Sequence, residues 1–280
     1  MKNKLIFLSF FLIIVGNSFS QKVSFIGKLD LKKNIVSKDF KPDKLVSLPL
    51  GIIFLDSEKR RVGVWSKDTF DIRGGYGTED AGLFDPVDII SNQLDVFILD
   101  QTVNRLIRYD AQLNFISSFN LDSENAFYPS LFSIDNRQNI YIYYPELNYI
   151  YRSSGFGGKI IKFLDLSSNF NSDNCISDLA INNADDLALL YKCNKTVNLF
   201  SQSGKMIRRF NTEIVNPLII LPFNSSWLII NADGQIQFLD MDPIQLLLDG
   251  GKIKDAIIDN NTLILLVNSS LIMYEIINGI

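Results

Sequence analysis

VDIIS (residues 87–91), DVFILD (95–100), RLIRY (105–109) and FISSFN (115–120) follow one another across short, mostly polar connections. Each run has strand length and is rich in Val, Ile, Leu, Phe and Tyr, so the segment predicts four antiparallel strands joined by tight turns. The second run ends on Asp100. An apolar strand closing on a polar or aromatic residue recurs at Asp56, Asp100, Tyr144, Tyr191, Asn231 and Asn268, at intervals of 44, 44, 47, 40 and 37 residues. Repeats of that length, each holding several short apolar runs, are the mark of a β-propeller and not of a layered α/β domain.

The same plan extends in both directions. Gly51 to Asp56, Val62 to Trp65 and Phe70 to Arg73 follow an inner strand near Leu45, and Leu131 to Leu164 holds a third unit. Further units run from Ile176 to Phe210 and from Pro217 to Leu248. The last repeat supplies only three strands, Ile253 to Ile258, Leu263 to Val267 and Leu271 to Ile276, while Val23 to Leu31 has no unit of its own. Pairing this orphan strand outside Leu271 to Ile276 closes the ring and leaves no long unpaired edge. The predicted fold is therefore all-β, a six-bladed β-propeller over residues 21–280, closed by its N-terminal strand on the last blade and expected to be a monomer. Apolar runs of four to seven broken by Asn, Asp, Gly and Ser leave no room for ordinary helices.

Residues 1–20 read as an export signal. Lys2 and Lys4 precede the apolar run Leu5 to Val15, and Ser18-Phe19-Ser20 offers small residues for cleavage before Gln21. Eleven residues, ten of them apolar beside Ser9, are too few to cross a bilayer core of roughly 30 Å, so the expected location is the periplasm or the exterior. The trimmed chain carries 25 Lys and Arg against 31 Asp and Glu, a net charge of about −6. Nucleic-acid binding requires the opposite field and is not expected. Folding back about the turn Asn182 to Asp185 sets Cys175 opposite Cys193, and an exported chain meets the oxidising conditions that maintain a disulfide, so a structural cross-link is expected there.

The run Gly74-Gly75-Tyr76-Gly77-Thr78-Glu79-Asp80-Ala81-Gly82-Leu83-Phe84-Asp85-Pro86, followed by Val87-Asp88-Ile89, Phe97-Ile98-Leu99-Asp100 and Asn104-Arg105-Leu106, resembles the NHL repeat and related six-bladed propellers of exported bacterial proteins. The resemblance is good in this unit, fragmentary in the first (Phe54-Leu55-Asp56, Arg60-Arg61-Val62) and only a strand pattern afterwards. It implies the ring fold and a habit of binding proteins or ligands on one face. It implies no single activity.

The chain has no histidine. A Ser-His-Asp triad, a Cys-His pair and a histidine-built zinc site are thereby excluded. Gly74 to Gly77 precedes a strand-entry proline and not a helix, so it reads as a blade connector whose glycines supply positive φ, not as a phosphate loop. Asp100 with Asn104 and Arg105 reads as a hairpin clamp. Counting 12 or 13 residues back from the recurring landmarks reaches Asp43, Asp88, Asp178 and Asp255 on inner strands, where carboxylates converging on the axis would suit Ca²⁺ or Mg²⁺. Tyr144, Tyr149 and Tyr151, within the densest aromatic cluster, are candidate contact residues. The function expected is a non-catalytic binding or scaffold module that recognises a protein, peptide or glycan through loops on one face. The alternative is a hydrolase or lyase that uses channel carboxylates with a metal.

Overall fold

The computed structural model describes residues 21–31, 39–66, 69–77, 80–92, 94–121, 127–167 and 175–277. The export signal expected at residues 1–20 lies outside them. Strand β1 (Lys22–Asp30) is followed by blade 1, made of β2 (Lys44–Leu48), β3 (Gly51–Asp56), β4 (Arg61–Ser66) and β5 (Thr69–Gly74). Blade 2 is β6 (Pro86–Asn92), β7 (Asp95–Asp100), β8 (Arg105–Asp110) and β9 (Phe115–Asn120). Blade 3 is β10 (Leu131–Ile134), β11 (Ile140–Tyr144), β12 (Tyr149–Ser153) and β13 (Ile160–Asp165). Blade 4 is β14 (Ile176–Ile181), β15 (Leu187–Tyr191), β16 (Thr196–Phe200) and β17 (Met206–Asn211). Blade 5 is β18 (Pro217–Phe223), β19 (Ser226–Asn231), β20 (Gln235–Phe238) and β21 (Ile244–Gln245). Blade 6 takes β22 (Ile253–Asp259), β23 (Thr262–Val267), β24 (Ser270–Ile277) and, outermost, β1.

The chain is thus an all-β, six-bladed propeller, with six antiparallel four-stranded sheets and no helix among the described residues. Ring closure follows the register Lys22↔Ile277 to Asp30↔Ser270, interrupted by a bulge between Phe25 and Gly27. The recurring landmark falls on the last residue of the second strand in blades 1 to 5, and Asn268 stands one residue past β23. Turns after that strand repeat their conformation: Arg60, Asn104, Asn148 and Lys195 all have φ between 50° and 58°, and Gly234 takes the place in blade 5 with φ 87°. Fixing this residue in the left-handed region reverses the chain between the second and third strands of each blade.

Burial explains why the strands are apolar at nearly every position. β11 and β15 are buried along their whole length because both faces of a blade pack on neighbours. Each interface between blades holds its own apolar cluster. Leu55, Ile89 and Ile98 lie between blades 1 and 2, Leu99 and Ile142 between 2 and 3, and Tyr143 and Leu189 between 3 and 4. Leu190 and Ile229 lie between blades 4 and 5, Ile230 and Leu265 between 5 and 6, and Leu266 and Phe54 between 6 and 1. Truncating such a buried leucine to alanine costs about 2–5 kcal/mol, so closure rests on six wedges of similar kind.

Candidate functional site

The inner strands present one residue each at an equivalent register position: Lys44↔Leu55, Asp88↔Leu99, Leu131↔Tyr143, Asp178↔Leu190, Ile219↔Ile230 and Asp255↔Leu266. Carboxylates occupy every second blade. Each one reaches across to the next inner strand. Asp88 accepts the amide of Phe132 (3.3 Å), Asp178 that of Ile220 (2.7 Å) and Asp255 that of Leu45 (2.8 Å). All three line a central cavity of about 280 Å³ together with Lys44, whose Nζ lies 3.5 Å from Asp88.

Burial pushes the carboxyl of Asp178 up to about 7 and that of Asp255 up to about 6, against the opposing pull of Lys44 and the backbone amides. Asp88 is raised for the same reason. Burial works against the Lys44 ammonium, yet Asp88, Asp255 and Asp178 outweigh it and hold its pKa well above the usual lysine range. The positive charge on the axis is therefore the chain's own. The carboxylates that would suit Ca²⁺ or Mg²⁺ each accept an inter-blade amide, Asp88 also meets this ammonium, and among the described residues no three acidic or thiol side chains gather as metal ligands. Asp43 is not part of the ring. Its carboxylate accepts the amide (2.8 Å) and hydroxyl of Ser57, and the position assigned to it belongs to Lys44, one residue on.

The rim that carries the turns between second and third strands also carries the connector from β5 to β6. Gly74 (φ 79°) and Gly75 (φ 147°) turn the chain out of β5, and Tyr76 forms a parallel bridge with Leu83 that folds the connector on itself. Neighbouring turns clamp this loop. Arg60 Nε donates to the Phe84 carbonyl (2.6 Å), Tyr109 Oη to that of Ala81 (3.0 Å), and Arg105 to that of Gly82. Asp100, fully buried, accepts the amides of Phe84 (3.0 Å) and Asp85 (2.7 Å) and pairs with Arg105 at 3.1 Å, so it clamps the blade connector as well as its own hairpin. Tyr76 projects from this frame 68% exposed, with the Arg60 guanidinium 5.0 Å from its ring centroid and Phe84 at 5.4 Å.

The tyrosines named as candidate contact residues lie on the second and third strands of blade 3. Tyr144 is 3% exposed, its hydroxyl donating to Asn104 (3.2 Å) and its ring edge-on to Tyr151 at 5.3 Å. Tyr149 is half-buried, donates to Asp165 (2.9 Å) and lies under the Lys162 ammonium. Tyr151 packs into the cluster between blades 2 and 3. The inward arm of this ladder is core, because a strand enclosed by blades on both sides hides whichever face its tyrosine takes. Tyr76 was missed because the glycines around it read as connector alone.

Cys175 and Cys193 are free thiols here. The register Ile176↔Tyr191 and the bond from the Lys192 amide to the Cys175 carbonyl (2.9 Å) put Lys192, not Cys193, opposite Cys175. A bulge at Ser177 shifts the pairing by one. The cysteines still meet diagonally: the Cys193 amide donates to Cys175 Sγ (3.2 Å), and burial followed by a hydrogen bond with the Cys193 thiol raises the Cys175 pKa.

No protein-family model matches the chain, and no curated protein matches it in sequence. Solved structures do match in fold. Virginiamycin B lyase from Staphylococcus aureus superposes with TM-score 0.65 at 13% identity, over 92% of this chain and 100% of that one. A catalytically inactive variant of that lyase, with a histidine replaced by alanine and quinupristin bound, gives TM-score 0.64 at 12% identity over the same shares. A protein of unknown function from Bacteroides thetaiotaomicron gives TM-score 0.64 at 12% identity, over 93% of this chain and 77% of that one. At these identities the likeness is one of fold, the β-propeller already traced through the six sheets.

Proposed function

We propose that this chain is a non-catalytic binding or scaffold propeller of the NHL-like kind, exported to the periplasm or exterior, that takes a protein, peptide or glycan on the rim carrying Tyr76. The clamped loop is the observation that carries this reading. Hydrogen bonds from three separate side chains hold its Ala81, Gly82 and Phe84 carbonyls, which lowers the ordering that a partner must impose, and ordering is a main cost of association. A tyrosine backed by an arginine is the pair that recognition hot spots favour.

The lyase alternative has less support. In the fold-mate named above, replacement of a histidine accompanies loss of catalysis, and this chain contains none. The channel carboxylates that would have to act instead accept backbone amides, and Asp88 also pairs with Lys44. An array of glycans and tiled envelope-protein peptides, probed with the wild-type chain and with Tyr76→Ala, tests the reading. Saturable binding that falls at least about tenfold in the variant is expected for an aromatic hot spot. Binding unaffected by the substitution, or none to any class, refutes it.

A further inference from the structure

The outermost strand of blade 5 has two residues, whereas β5, β9, β13 and β17 have six and β1 has nine. Blade 5 thus offers a shortened outer edge to the wedge beside blade 6, where Ile244 and Leu246 still pack on the apolar cluster. A cavity of about 370 Å³ opens there, at the seam where β1 closes the ring. Val23, Phe25, Ile272 and Tyr274 of blade 6 form one wall, and the segment around Leu246 and Leu247 forms the other. The walls are tied to each other and to their own blades. Tyr274 Oη donates to the Leu247 carbonyl (2.7 Å), the Leu246 amide to that of Gly234 (2.8 Å), and Phe25 stands edge-on to Tyr274 at 5.7 Å. At the mouth Phe25 is 59% and Leu247 84% exposed, apolar surface that gains by being covered. The volume falls in the roughly 300–1,000 Å³ range of small-molecule sites.

A second compartment of about 230 Å³ adjoins the first, sharing Asp249 and Ile272 with it. Its remaining character is polar, from Lys28, Asp30, Asn268, Ser269 and Ser270. The Lys28–Asp249 ion pair, 3.0 Å long, stands on its lining. Two carboxylates against one ammonium make this end unfavourable to a carboxylate or phosphate, and the ion pair already answers Asp249. Hydroxyl and amide groups that both donate and accept suit an uncharged polyhydroxy group instead. We infer that the seam between blades 5 and 6 binds an uncharged amphiphile, an alkyl or aryl glycoside whose apolar group fills the first compartment and whose sugar lies in the second.

Octyl β-glucopyranoside, titrated below its micelle concentration into methyl-labelled protein, is expected to shift the methyl resonances of Ile244, Leu247 and Ile272 saturably. Octanoate and octyltrimethylammonium share the tail and vary the head, and each is expected to bind at least about fivefold more weakly, octanoate because its charge meets two carboxylates against one ammonium and octyltrimethylammonium because it neither donates to nor accepts from the hydroxyl and amide groups. The paired substitution Phe25→Ser and Leu247→Ser sits at exposed positions, so the remaining methyl spectrum reports that the fold is kept. Affinity for the glucoside should drop about tenfold or more with the apolar contact. Absence of shifts at millimolar glucoside, a charged analogue binding as tightly, or undiminished binding by the double variant overturns the assignment.

Discussion

Replacing Lys44 by methionine removes the one cation that, among the described residues, lines the central cavity and leaves Asp88, Asp178 and Asp255 facing it. The ammonium lies 3.5 Å from Asp88, a separation at which a pair is worth roughly 4–5 kcal/mol before desolvation at an effective dielectric constant near 20. Deleting one partner of a buried pair costs about 3–5 kcal/mol. Lys44 retains 30% side-chain exposure to channel water, which places the expected loss near ~3 kcal/mol at pH 8, or a fall in Tm of roughly 6–12 °C. The pH dependence is the sharper test. Burial raises Asp178 to about 7 and Asp255 to about 6 from a usual 3.8, so in that window the folded chain holds protons that the unfolded chain has released. Their favourable contribution is complete below the unfolded pKa and is lost as pH climbs through the folded values, by ~1.4 kcal/mol per unit for each group. Without Lys44 the carboxyls move further up, so the variant's deficit should be largest at pH 8 and smaller at pH 5, below the folded values of Asp178 and Asp255. Thermal unfolding followed by circular dichroism at both pH values measures it. An equal deficit at pH 5 and 8, or a variant more stable than wild type at pH 8, refutes the electrostatic account.

Gly82→Ala tests the clamped loop, since a Cβ there would sit 2.8 Å from the backbone carbonyl of Gly77. Overpacking against main chain costs about 1–3 kcal/mol, and hydrogen exchange at the Gly77 amide should accelerate because its bond to Leu83 (3.2 Å) lies in the displaced segment. Unchanged exchange with unchanged Tm would mean the bridge does not fix Tyr76. For the cysteines, chain recovered from an oxidising compartment is expected to resist alkylation at both Cys175 and Cys193 until reduced, and reduction should lower stability by about 3 kcal/mol for an enclosed loop of this length. Two thiols freely alkylated in native material would show that the diagonal placement forbids the bond.

The period was legible because every blade must bury the same kind of strand. Five of six landmarks mark the same strand end, and the orphan Val23 to Leu31 found its partner through the missing strand of the last repeat. Positions that depend on one residue of hairpin length were not legible. The bulge at Ser177 displaced Cys193 from Cys175. In blade 1 the ring position stands 12 residues before the landmark and not 13, so counting reached Asp43 where the axis holds Lys44. Sequence patterns set strand identity, but register is decided by bulges and turns that leave no periodic trace. Tyr76 eluded the reading for another reason, since its exposure comes from long-range clamps by Arg60, Arg105 and Tyr109 that lie 16 to 33 residues away.

The alternation on the axis has a consequence for where ligands bind. Aspartates in blades 2, 4 and 6 stitch each of these blades to its successor through an amide, so three of the six inner seams are closed by a charge-assisted hydrogen bond. Leu131 and Ile219 offer no such bond at the intervening positions, and Lys44 answers the carboxylates collectively. A ligand that displaced these contacts from the channel would leave buried charge unpaired, a penalty of several kcal/mol. The rim at Tyr76 and the seam beside the shortened blade 5 demand no such exchange: one is preorganised by hydrogen bonds that binding leaves intact, the other is already open. Selectivity in this ring is therefore expected to reside in its connectors and in its one defective wedge, with the axis serving as the fastening that keeps both in place.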